Sequence, residues 1–162
     1  MKTIARLCLA LLPLLAVACG GSASPDVLTS QGLDALNSGD HEAALSKLRK
    51  ALEGLKPGDD GYLEAKMGAI EARIAGDPDG AQQEFLELAS AHPDMVNASG
   101  YVTIGGHMAN QKAWLPAIAV MDAGIKRFGK DEPKLQQLLE KIQKGSAGDE
   151  AATNALKGLG YT

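Results

Sequence analysis

The sequence predicts an all-α fold of stacked antiparallel helix pairs, and three observations predict it. Ala and Leu dominate, β-branched runs are scarce and only 4% of the residues are aromatic, which favours helix over strand. Small and apolar positions recur at an offset of 36 or 37 residues: Gly32, Ala69 and Gly105; Ala44, Ala81 and Ala117; Leu48, Phe85 and Met121. Helix-stop and helix-start residues keep the same phase, with Gly39-Asp40 answered by Gly76-Asp77 and Pro57 by Pro93. A helix pair of this size cannot bury its apolar face alone, so the units must stack.

The chain has 162 residues, 45% hydrophobic and 22% charged, which suits one globular domain. Its net charge of −4 argues against nucleic acid as a partner, because phosphate binding needs a basic face. Cys8 and Cys19 are its two cysteines. The chain after Cys19 therefore holds no disulfide framework and no cysteine-based metal site.

The N-terminus reads as an export signal. Lys2 and Arg6 precede the uncharged apolar run Leu7 to Ala18. That run of 12 residues is too short for a bilayer helix, which needs about 20. Leu15-Ala16-Val17-Ala18-Cys19 resembles a bacterial lipobox, although Ala16 stands where Leu is usual and Leu15 lies one step further out. The resemblance implies that residues 1–18 are a signal peptide and that Cys19 is lipidated. The plainer alternative is a secretory signal cut at Ala-Val-Ala, with Cys19 incidental. Gly20 is not the Asp that retains many such lipoproteins in an inner membrane. By resemblance the expected location is therefore the outer membrane, facing the periplasm. Loss of residues 1–18 removes two cations and no acid, so the charge falls from −4 to −6. Residues 19–25 have the composition of a flexible tether.

Helices are expected near 26–38, 41–54, 62–75, 79–91, 95–110, 115–128 and 133–144, with a short helix open at 150–158. Gly39 and Gly76 suit the left-handed conformation that ends a helix. Asp40 suits the cap of the next one. Helix 95–110 carries Gly100, Gly105 and Gly106, each unfavourable by about 1 kcal/mol against Ala. The repeat phase nevertheless assigns it as helix. Pro116 falls in the first turn of its helix, where proline is tolerated. Leu135, Leu138, Leu139 and Ile142 form one apolar stripe, and Lys134, Gln137, Lys141 and Lys144 occupy the other side. This helix is expected to cap the stack. Residues 145–162 read as a linker and short tail, which either folds back on the cap or stays free.

The run Gly32, Gly39-Asp40, Ala44, Leu48, Ala51-Leu52 and Pro57 resembles a tetratricopeptide repeat. Ala69, Gly76-Asp77, Ala81, Phe85 and Pro93 resemble a second, and Gly105, Trp114, Ala117, Met121 and Gly124-Ile125 a weaker third. Leu88 departs from the pattern, standing where a small residue is usual. The resemblance implies a right-handed superhelical solenoid of about three repeats over residues 26–144. It also implies a concave groove lined by the first helix of each pair. The groove candidates are then Thr29, Leu33, Leu36, Lys66, Ile70, Arg73, Val102, Gly106 and Asn110. Some relatives hold a peptide carboxylate there with Lys, Arg and Asn. Thr29 and Leu33 replace two of those residues, so that clamp is not supported.

No catalytic signature is present in the sequence. It contains no Gly-x-Ser-x-Gly, no phosphate loop and no close pairing of His41, His92 and His107 with metal ligands. Glu84 and Glu87 share a helix and read as a solvated face. No cofactor or metal is expected. The expected function is a non-catalytic adaptor that binds a protein or peptide partner, with membrane contact only through the lipid anchor. Envelope assembly, secretion or pilus biogenesis are settings suggested by similar lipoproteins. The alternatives are a helical ligand-binding or enzyme-accessory subunit and a self-associating structural lipoprotein.

Overall fold

The computed structural model describes residues 23–161, so the signal, Cys19 and most of the tether lie outside the described residues. Among the described residues the chain is all-helical, with eight α-helices and no strand. They are α1 (Pro25–Asn37), α2 (His41–Leu52), α3 (Tyr62–Ile74), α4 (Pro78–Ala91), α5 (Ala98–Asn110), α6 (Trp114–Phe128), α7 (Pro133–Gly145) and α8 (Glu150–Gly158). None of these helices is long and apolar enough to cross a membrane.

Local chemistry fixes most of the starts. Ser24, Asp40, Asp77, Asn97 and Asp149 each accept a hydrogen bond from a backbone N–H three residues on. Each bond satisfies a donor that the first helical turn leaves open. Pro25, Pro78 and Pro133 occupy the first turns of α1, α4 and α7, where the missing N–H costs nothing. Ser24 and Pro25, expected in the tether, are thus the cap and first residue of α1.

Two expectations are corrected, and one left open is resolved. Helix 95–110 begins only at Ala98. Pro93–Met95 makes a 3-10 turn, Val96 is extended and buried, and Asn97 caps the helix that follows. Proline and an anchored Val96 break the helical path before the glycines do. Gly76 does not enter the left-handed region, whereas Gly39 does, at φ +79°. For residues 145–162, left open between folding back and staying free, the described part folds back onto the helices, and the short helix near 150–158 is α8. Ser146 is buried, α8 packs on α6, and the Tyr161 hydroxyl donates to Asp122 at 2.8 Å. Burial and that bond push the Tyr161 phenol up to about 12.

Within each pair, α1 packs on α2, α3 on α4 and α5 on α6. The first helices also touch in series, α1 to α3, α3 to α5 and α5 to α7, and α4, α6 and α8 form a second series. Glycine lets the backbones approach. A Cβ on Gly32 would lie 2.5 Å from Leu48, and one on Gly68 would lie 2.9 Å from Leu33. Leu48 is fully buried between α1 and α3, a burial worth about 1.5–3 kcal/mol. Ala44, Ala65, Ala69 and Ala72 complete a small core around it. A larger core runs from Ile70 to Leu156. Its centre is Phe85, edge-on to Tyr101 with ring centroids 4.9 Å apart.

Candidate functional site

The structure divides the expected groove residues. Ile70 is fully buried and Thr29 is 5% exposed, so neither offers a contact surface. Leu33, Leu36 and Val102 are half-buried and pack against the two cores. Asn110 is exposed and Gly106 half-buried, with open space where a Cβ would project.

Lys66 and Arg73 both turn towards α4. Lys66 Nζ donates to Glu84 Oε1 at 2.6 Å, and Arg73 Nη1 donates to Glu84 Oε2 at 3.0 Å. Arg73 Nε and Nη2 also donate to Asp77 Oδ2, at 3.0 and 2.6 Å. Asp77 in turn accepts from the Gly80 N–H at the start of α4. A Cβ on Gly80 would lie 2.1 Å from Arg73, so glycine there makes room for the guanidinium. Burial pushes the Glu84 carboxyl up, but the bonds from Lys66 and Arg73 outweigh it and hold it below the ordinary range. The Gly80 N–H, and then Arg73, lower Asp77. Glu84 is therefore an internal strut between α3 and α4, not part of a solvated face.

The exposed face of the first helices lies elsewhere. On α3 it carries exposed Glu64 beside half-buried Met67 and Glu71, and on α5 exposed Thr103 and Asn110 beside half-buried Gly106. Side chains tie the neighbouring helices across this face. His107 Nε2 lies 3.1 Å from Glu71. Lys134 Nζ donates to Ser99 Oγ at 2.7 Å, and Lys141 Nζ to Asn110 Oδ1 at 2.6 Å. Between α1 and α3 is a recess of about 280 Å³ bordered by Asp26, Thr29, Ser30, Asp34 and Glu64.

Sequence reasoning placed Lys66 and Arg73 on the face through their spacing of seven. Glu64 and Glu71 have the same spacing. The signal that separates them is the buried set Ala65, Gly68, Ala69 and Ala72, which leaves 64, 67 and 71 outward.

A larger groove of about 580 Å³ lies on the other side, between α2 and the α3–α4 turn, with Leu45, Ala72 and Ala75 along it. His41 borders it, and its Nδ1 is buried without a hydrogen-bond partner. His92 is half-buried edge-on to Tyr62, with centroids 6.4 Å apart. Among the described residues no group of three or more His, Cys, Asp or Glu is placed to hold a metal ion. No family model, curated protein or solved structure matches this chain.

Proposed function

We propose that this protein is a non-catalytic interaction adaptor of the bacterial cell envelope. On this reading it is a right-handed superhelical solenoid of the tetratricopeptide kind, with about three repeats and a terminal cap. It is exported, lipidated at Cys19 and held at the periplasmic side of the outer membrane. Its partner is a protein segment that lies along α1, α3, α5 and α7.

The observation that carries the reading is the serial contact of the first helices, which keeps polar side chains outward on each of them. A rigid face made of successive helices presents fixed positions to an extended or helical segment. The repeat phase adds support, because Gly32 and Gly105 both sit where a neighbouring helix approaches closely.

Two experiments test it. A photo-crosslinking residue at Asn110 should capture a specific envelope protein that the same residue at Gln83, on the outside of α4, does not. Equal capture at both sites, or capture only at Gln83, rejects the docking face. Mass measurement of the N-terminal peptide should show acyl chains on Cys19. An unmodified cysteine rejects the anchor.

A further inference from the structure

The exposed face of the first helices is electrically divided. At one end Asp26, Asp34 and Glu64 border a single recess between α1 and α3. None of the three forms an ion pair with Lys, Arg or His among the described residues. Thr29 borders the same recess at 5% exposure, and its Oγ1 has no hydrogen-bond partner. At the other end Lys134 and Lys141 are exposed and rest on the neutral acceptors of Ser99 and Asn110. Their charges are likewise uncompensated. Between the ends, Glu71 lies 3.1 Å from His107 Nε2, and Lys141 Nζ lies 3.5 Å from the Gly106 carbonyl oxygen.

Accepting the docking face proposed above, we infer that the segment it binds is charge-polarised. A lysine or arginine side chain of the partner enters the α1–α3 recess, and an aspartate or glutamate meets Lys134 and Lys141. The recess volume of about 280 Å³ falls below the usual range for whole small-molecule ligands and suits one side chain. Three carboxylates select a cation there by Coulomb attraction, and an acidic group is repelled. Packed helices lie roughly 8–10 Å apart, so the recess and the α7 lysines are separated by about 20 Å. An extended chain spans that distance in about six residues.

The test uses the intact chain purified from the envelope in detergent and fluorescence anisotropy of labelled peptides. The probe has a lysine pair and a glutamate pair separated by about six Gly and Ser residues. Its affinity should fall about five- to tenfold in the double variant Asp34→Asn, Glu64→Gln, and by a similar factor in Lys134→Gln, Lys141→Gln. A lysine-only probe should respond to the first variant alone, and a glutamate-only probe to the second alone. A circular-dichroism spectrum matching wild type checks that each variant is folded.

The polarity is rejected if an uncharged Gly-Ser probe binds as well, if neither variant changes affinity, or if adjoining the charges in the probe makes no difference. If Asn110 still crosslinks a specific protein in that case, the docking face stands and only its polarity fails. If the chain sediments as a dimer that the lysine variant dissociates, a second copy covers the face and the peptide proposal is overturned.

Discussion

The first and third helix pairs make the same joint with different materials. Between α1 and α2, Gly39 takes the left-handed conformation at φ +79°, and Asp40 accepts from the Ala43 N–H at 3.0 Å. Between α5 and α6 the corresponding residues are Lys112, left-handed at φ +60°, and Ala113, which gives no side-chain cap. The cores differ the other way. Around α2 the buried side chains are mostly alanines with Leu48, whereas α5 and α6 bury Tyr101, Ile104, Met108, Met121 and Ile125. A left-handed residue other than glycine costs about 1–2 kcal/mol, and a missing cap about 1 kcal/mol. Each large buried side chain offsets that with about 1.5–3 kcal/mol. A turn can therefore be poorly suited to its shape where the helices beside it are well packed.

The largest effects should come from the cores. Leu48→Ala removes the large, fully buried side chain that packs against both Gly32 and Gly68, and the buried residues around it are alanines, too small to fill the gap. Its cost should lie at the upper end of about 2–5 kcal/mol. Ile104→Ala, surrounded by longer side chains, should fall at the lower end of the same range. Urea unfolding of both variants gives the order, and a larger loss for Ile104→Ala would break the contrast. Glycine exchange follows. Gly32→Ala puts a Cβ 2.5 Å from Leu48 and should destabilise by about 1–3 kcal/mol. Gly106→Ala meets open space and should stabilise by about 0.5–1 kcal/mol. Thermal melts showing the same sign for both would contradict the packing described.

The middle pair differs from both in its ionic strut. Asp77 and Glu84 are held below their ordinary values of 3.8 and 4.5. A depressed carboxyl contributes stability above its unfolded pKa and loses it as pH falls through the folded value. Glu84→Gln removes the charge and keeps one accepting oxygen, but sets an amide donor against Lys66 or Arg73 where the second oxygen stood, and should cost about 1–3 kcal/mol near neutral pH. The gap from wild type should narrow as pH falls from neutral into acid through the depressed folded value of Glu84. A gap unchanged over that fall in pH would show that the carboxylate charge is not what holds α3 to α4.

The helices were legible because their signals are local. Asp40, Asp77, Pro25 and Pro133 act within one turn of themselves, and the stripe of α7 needs no neighbour to be read. The break before α5 was harder to read, because Val96 becomes extended by burying itself in the core, a tertiary effect. The face was legible only in part. Lys66 and Arg73 pair with Glu84, a residue on another helix, which their spacing along α3 does not reveal. Spacing along one helix specifies which residues share a side. It does not specify which side a neighbour occupies.

Smaller changes test the turns directly. Asp40→Ala should lose about 1 kcal/mol with its cap, and Ala113→Asp should recover a similar amount at the uncapped start of α6. Equal effects of both signs would show that the two joints differ by the cap alone. Lys112→Gly is the smallest and cleanest test. Lysine at φ +60° bears the steric cost of the left-handed region, and glycine does not. Glycine in turn gains backbone freedom in the unfolded chain, which cancels part of the benefit. The net gain should be about 0.5–1 kcal/mol, read as a higher urea midpoint with an unchanged slope. The side chain of Lys112 is exposed and holds no ion pair among the described residues, so its loss should subtract nothing. A destabilised variant would mean that the third joint does not bear the strain that its core was argued to offset.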